Sequence, residues 1–430
     1  MPPTLVLTTT TPLGTVGRVS VPGIARYVQP GDVIVVAQVL GEPTPLVDEI
    51  WSHADYLEDV RVFAGMSLSG VMTRVPPGVQ LVSSVGMAPN SQLIEAGRME
   101  LIPCHMSQLP WLLTDGPLKT DVALILVSPP NTDGYCSLGV TSDYAWHAVQ
   151  AARVVLAEIN DNVPVVAGDT RIHVSQLAWS MRTSRPLPEY QRATPTELEL
   201  RIAQNVVRYV HDGSCLQIGI GKLGEAVLQS VRDRRNLGVH SGMVGDTVLE
   251  MMRDGIITNN AKERDRGLTV AGSILGSSRA LALAAQEPSL RLLSIAHTHD
   301  PARIEAMSNF VCVNSALEVD LLGQVNSETA GGRYVGALGG AVDFLRGAVR
   351  SVGGHSIVAL PSTTPKGRSR IVPRVDHVSA LGSDVDVIAT EHGVAEIRGM
   401  TSAQRAARII EIAAPEQRES LRKAAVDAGF

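Results

Sequence analysis

Short runs of Val, Ile and Leu recur along the chain between stretches whose apolar residues have helical spacing, and this alternation restricts the fold more than any other feature. Val33 to Ala37, Val122 to Val127, Val154 to Glu158, Leu216 to Ile220, Phe310 to Val313, Ile357 to Leu360 and Val385 to Thr390 are predicted strands. Consecutive apolar side chains leave such a strand no polar face, so both faces need cover, which crossover helices supply. The predicted class is α/β, with open, mostly parallel sheets. A chain of 430 residues exceeds one ordinary core, so two domains are expected.

The boundary is expected in Thr183 to Pro195, which holds Arg185-Pro186, Leu187-Pro188 and Thr194-Pro195. Proline removes backbone donors and disfavours helix there. This gives an N-terminal domain at 1–190 and a C-terminal domain at 191–430. Just beyond, Thr196 and Glu199 have capping-box spacing ahead of an apolar face of Ile202, Val206, Tyr209 and Val210. A short internal echo is also visible. Gly31-Asp32 leads a strand into Gly41-Glu42-Pro43 and a helix, and Gly213-Ser214 leads another into Gly219-Ile220-Gly221 and a helix.

Several function classes drop out. Acidic residues (43) outnumber basic ones (37), and no Lys/Arg block interrupts the net charge of -6, so no nucleic-acid partner is expected. The start, MPPTLVLTTTTPLG, lacks the basic opening and apolar run of a signal peptide. No apolar run is long enough to span a bilayer, so neither membrane insertion nor export is expected and the predicted location is cytoplasmic. Cys104, Cys136, Cys215 and Cys312 lie far apart without a CxxC pair. Buried, inert thiols are expected, with no metal site and no disulfide framework.

Three glycine-rich turns carry the chemical signal. In Leu216 to Gly224, a strand runs through Gly219-Ile220-Gly221 into a helix from Glu225 to Arg232. Backbone N–H groups without neighbouring Cβ atoms can face a phosphate or an oxyanion, and the helix N-terminus adds partial positive charge. A dinucleotide fold also uses such a loop, but Asp233 and Asp246 miss the spacing of its acidic partner. Gly336 to Phe344 forms a second turn, and Gly353-Gly354-His355 opens a strand. Taken singly, each also fits a plain tight turn. A nicotinamide or flavin oxidoreductase and a pure interaction scaffold are the rival classes.

A set of strings, in order along most of the chain, resembles the acetyl-CoA hydrolase/CoA-transferase family. They are Gly41-Glu42-Pro43, Pro103 to Ser107, Ser128-Pro129-Pro130 with Gly134 to Gly139, Gln217 to Gly221 and Leu237 to Ser241. The series continues with Val311 to Asp320, Gly323-Gln324-Val325, Gly339-Gly340 with Asp343-Phe344, Ile371-Val372-Pro373 and Thr390 to Ala395. The resemblance implies two CoA-transferase-type α/β domains, acyl-CoA and a small carboxylate as substrates, no metal or redox cofactor, and a homodimer. It places Gly219 to Gly221 against the thioester oxygen. It brings the Gly336, Gly339 and Gly340 turn and Asn314 to the CoA, with Lys366 or Arg370 on its phosphates. Lys366 and Arg370 are equally readable as solvated loop charges.

One departure bears on mechanism. Transferases of the family attack the acyl carbonyl with a glutamate that follows a His-Ser pair, a carboxylate nucleophile that divides one hard exchange into easier steps. Here the segment reads His240-Ser241-Gly242-Met243, so Gly242 stands where the nucleophile is expected. Three readings remain open. Another carboxylate serves, from Glu42, Asp246, Glu318 and Glu328; or water attacks, with His240 or one of those carboxylates as base; or the chain binds CoA esters without turnover. Plainer roles stand beside these: His240 hydrogen-bonded to backbone, Glu318 in a structural pair, Glu42 favoured at a helix entry by the dipole.

Overall fold

The structure, a computed structural model, describes residues 7–8 (backbone only), 23–87 and 89–430. Most of the N-terminal stretch on which export was judged lies outside those residues. Two compact units result. The first takes the described residues up to Tyr190 together with Gly272–Thr298, and the second takes Gln191–Ala271 and His299–Phe430. Two unbroken domains, 1–190 and 191–430, leave no room for that returning segment. Nothing in its composition marks 272–298 as foreign to its surroundings.

In the first unit eight strands form one sheet, in the order Leu7–Thr8, Trp179–Thr183, Val154–Asn160, Val122–Val127, Val33–Val36, Arg61–Ala64, Gln80–Ser83, Met99–Leu101. All neighbours are parallel except Leu7–Thr8, which runs antiparallel on the edge. Burial follows the strand period of two. Ile34, Val36, Val62 and Leu124 enter one core, and Val33, Val35, Phe63 and Ile125 enter another. The sheet is therefore covered on both faces, as the unbroken apolar runs require.

The second unit repeats the plan. Within it, strands run in the order Gly238–Val244, Cys215–Ile218, Phe310–Ser315, His355–Ala359, Val387–Thr390, Gly393–Glu396. The last is again an antiparallel edge strand. In each sheet the first long strand is central. The chain builds outward on one side, then returns to the other side of that strand, at Val122–Val127 in one unit and Phe310–Ser315 in the other. The reversal opens a crevice at the carboxyl ends of the two central strands, where open α/β sheets bind ligands.

The echo seen in the sequence sits at this point in both units. Gly31 and Gly213 enter the two central strands with φ of 81° and 80°, a left-handed turn that glycine adopts without strain. Helices Thr44–Trp51 and Lys222–Ser230 follow the two strands. The proline-rich segment, residues 184–196, has no regular structure. Helix Glu197–Val206 starts after it, with the Thr196 N–H donating to Glu199 Oε2 at 2.8 Å. Ile202, Val206 and Val210 are buried.

Candidate functional site

In the first unit the loop after Val33–Val36 is held from every side. Val39 is fully buried with φ of 50°, a conformation that a β-branched residue adopts only under constraint. Gly41 is needed as glycine, because a Cβ there would stand 2.9 Å from Thr141 Cβ. Glu42, 1% exposed, accepts from Ser67 Oγ at 2.6 Å and from the Ser69 N–H at 3.1 Å. Its carboxylate therefore ties the loop to the segment after Arg61–Ala64, which supports a structural role over that of a free base.

Behind this loop lies a buried polar network that the sequence did not signal. Gln38 Nε2 donates to Asp143 Oδ2 at 2.6 Å, and Ser273 Oγ donates to the same oxygen at 2.8 Å. Burial pushes the Asp143 carboxyl above its ordinary range, against those hydrogen bonds. Tyr144 Oη donates to Val36 O at 2.7 Å and accepts from the Gly65 N–H at 3.0 Å. Arg185 holds fully buried Glu158 with two bonds of 2.8 and 2.9 Å, and its Nη2 reaches Glu42 O at 3.0 Å. Each group lies far from its partners in the chain, so no local pattern announces the set.

In the second unit the central strand Cys215–Ile218 ends in Gly219-Ile220-Gly221. The Gly219 N–H donates to Val313 O at 2.8 Å, so it is already engaged and does not face a ligand as the sequence reading had it. Gly221, with φ of 109°, has nothing within 4 Å of where a Cβ would stand. Gly224 is a contact glycine: a Cβ there would fall 1.8 Å from Gly219 O, so its absence seats helix Lys222–Ser230 against the loop. Next to the loop, Gln217 and Asn314 join by a reciprocal amide pair at 3.3 and 2.9 Å. That pair fixes the orientation of Asn314 across the two central strands.

Gly242 lies on Gly238–Val244, beside the central strand. The pairing ends at Leu216 and Val239, and Gly219 and Gly242 stand equally far beyond it. The room beside Gly242 is taken by His299. A Cβ on Gly242 would lie 2.9 Å from His299 Cε1 and 3.0 Å from its Nε2, and one on Gly340 would lie 2.3 Å from the same Nε2. The imidazole is 5% exposed and leans on Phe344 with ring centroids 4.8 Å apart. Burial pushes His299 down to about 3, so the ring is neutral. His240 is fully buried in the same layer, edge-on to Phe310 at 6.4 Å. Such a position suits packing better than proton transfer to a ligand.

The other predicted residues separate. Glu318 accepts from Asn326 Nδ2 at 3.3 Å and neighbours Arg370, whose Nη1 donates to Leu317 O at 3.0 Å. Burial pulls the Arg370 guanidinium below its ordinary value, so it is a lodged structural cation and not a solvated loop charge. Lys366 is exposed. Gly336 is a contact glycine, since a Cβ would meet Ser327 O at 1.9 Å, whereas Gly339, φ 56°, faces open space. Glu328 is buried against Ser379 Oγ (2.7 Å) and His377 Nε2 (3.1 Å). Asp246 is buried in the first turn of helix Asp246–Arg253.

All four cysteines are buried, and burial pushes Cys136, Cys215 and Cys312 up to about 11, 11 and 12. Thiols so raised stay protonated and unreactive at neutral pH. Among the described residues no group of three His, Cys, Asp or Glu is placed to hold a metal ion. No helix among them is long and apolar enough to cross a membrane.

Two α/β units of the same strand order, each with a loop at its switch point, define the class of fold. The acetyl-CoA hydrolase/transferase N-terminal domain matches residues 18–218 and the C-terminal domain of the same family matches residues 276–425. The chain belongs to the acetyl-CoA hydrolase/transferase family. It is 36% identical to the 4-hydroxybutyrate coenzyme A transferase of Clostridium kluyveri over 90% of this chain and 92% of that one. Among solved structures, RipA from Yersinia pestis superimposes with a TM-score of 0.89 at 31% identity, covering 94% of this chain and 96% of that one. The 4-hydroxybutyrate CoA-transferase of Porphyromonas gingivalis gives a TM-score of 0.80 at 33% identity, covering 95% and 96%.

Proposed function

We propose that this chain is an enzyme acting on acyl-CoA thioesters, a CoA-transferase-like protein that moves CoA between an acyl donor and a small carboxylate. The observation that carries this reading is the likeness, along nearly the whole of both chains, to a 4-hydroxybutyrate coenzyme A transferase. In this reading CoA is substrate and product, and no further cofactor takes part. The thioester oxygen meets the N–H groups of Ile220 and Gly221 at the head of helix Lys222–Ser230, where the dipole favours developing negative charge. Asn314 and the open turn at Gly339 border the CoA, and exposed Lys366 accompanies its phosphates. The protein works as a homodimer in the cytoplasm.

A second reading, hydrolysis by activated water, is favoured by Gly242. Glycine offers no carboxylate to carry CoA between two partners, and water needs no such carrier. The test is incubation with acetyl-CoA and longer acyl-CoAs, with and without acetate or succinate, following free CoA and thioesters by mass. New thioester formed only with acceptor supports the transferase. Equal release of CoA with and without acceptor supports the hydrolase, and no turnover of any acyl-CoA overturns both.

A further inference from the structure

The slot beside Gly242 and Gly340 is filled first by the imidazole of His299, with Phe344 Cε2 next, 3.8 Å from a Cβ on Gly242. Neither glycine has a positive φ, so the backbone at both positions accepts any residue. The imidazole alone keeps side chains out: both hypothetical Cβ atoms fall within 3.0 Å of His299 ring atoms, closer than non-bonded carbons approach. The ring has little freedom to retreat. Phe344 stands 4.8 Å behind it, and Phe344 is stacked on Phe310 at 6.4 Å in turn. Phe310 and Phe344 are each 2% exposed or less, in a core that includes Leu345 and Ala348. A residue at 242 and the imidazole at 299 are thus alternative occupants of one space.

We infer that His299 is a positioning residue that closes the space beside Gly242, so that no side chain at 242 reaches a bound acyl-CoA. The inference rests on the acyl-CoA reading for its ligand, and on the slot geometry alone for the coupling of the two positions. It has a chemical consequence. A glutamate introduced at 242 cannot form an enzyme–CoA thioester while His299 remains. Once the imidazole is removed, the Glu carboxylate can attack the acyl carbonyl, breaking its C–S bond and releasing CoA thiolate. The thiolate then attacks the glutamyl carbonyl of the mixed anhydride, expelling the acyl group as a carboxylate and leaving CoA on the protein. Atoms and electrons balance with acyl-CoA as the only reactant.

Two measurements on the full chain test this separately. The first is a thermal-stability cycle of Gly242→Ala, His299→Ala and the double variant, with His299→Asn as the substitute if His299→Ala is insoluble. Gly242→Ala is expected to lower Tm by about 3 °C or more in the parent and to have no such effect once His299 is small. Equal losses in both backgrounds overturn the inference, whatever the ligand. The second is intact mass after incubation with acetyl-CoA, for Gly242→Glu and for Gly242→Glu with His299→Ala. Covalent CoA on the double variant only is expected, a readout that loss of packing alone does not produce. Covalent CoA on both to the same extent overturns the role of His299. Coupled stabilities with no covalent CoA on either overturn the acyl-CoA role of the slot and leave the acyl-CoA reading to the turnover assay.

Discussion

At the scale of single residues, the two switch-point loops are built by opposite means. The second unit uses glycine where the backbone turns, at Gly221, and where elements touch, at Gly224. The first unit places Val39 at φ 50° and buries it completely. Val39→Gly relieves strain of about 1 kcal/mol but gives up about 2 kcal/mol or more of apolar burial. A net loss of about 1 kcal/mol in urea unfolding is expected, smaller than the loss from Val35→Gly in the unstrained strand. Equal losses at the two positions would show that Val39 carries no strain. The glycines were readable as turns from their clustering. Their partners were not: nothing adjacent to Gly242 or Gly340 in the sequence points to His299, and Glu42 gives no hint of Ser67. Spatial neighbours distant in the chain leave no periodic mark, so the contents of the site emerge only with the fold.

At the scale of elements, legibility followed burial. Strand stretches buried on both faces, such as Val122–Val127 and Phe310 to Val313 of Phe310–Ser315, are continuous apolar runs and were read directly. Gly238–Val244 was not read as a strand, because its residues, GVHSGMV, include two glycines, a histidine and a serine. Its place beside Cys215–Ile218 overrides that weak local preference. The irregular segment 184–196 is anchored by a side chain: Arg185 reaches back to Glu158 on Val154–Asn160. Removing one partner of such a pair leaves the other as an uncompensated charge in the interior. Arg185→Met is expected to destabilise the first unit by about 3 kcal/mol, and adding Glu158→Gln should recover part of that. Denaturant unfolding of the three variants measures it, and a loss under about 1 kcal/mol for Arg185→Met would show the anchor to be dispensable.

At the scale of the whole molecule, buried histidines contribute to the response to acid. Burial lowers His147 and His355 and pushes His299 down to about 3 from an ordinary 6.5. A group with a depressed native pKa binds its proton more readily when unfolded. Its stabilising contribution is therefore complete above the ordinary value and is lost as pH falls toward the native one. Asp143 acts in the opposite sense, since burial raises its carboxyl and protonation suits its site. The comparison that isolates the histidine is His299→Asn against the parent, by scanning calorimetry from about pH 7 to about pH 5. The parent is expected to lose more Tm than the variant over that interval. Equal losses would mean that His299 takes up a proton without cost in the native state.

The division of the chain also sets a schedule for its synthesis. The first unit is complete only once Gly272–Thr298 has emerged from the ribosome, and by then Gln191–Ala271, which belongs to the second, has already been made. Domains commonly fold in the order of translation, but here neither half can finish before the other has begun. The nascent chain must therefore carry a first unit whose strands are all made but whose core still lacks Ile295, together with an unfinished second unit. A gene cut after the proline-rich segment would encode a fragment lacking part of its own unit, not an independent module.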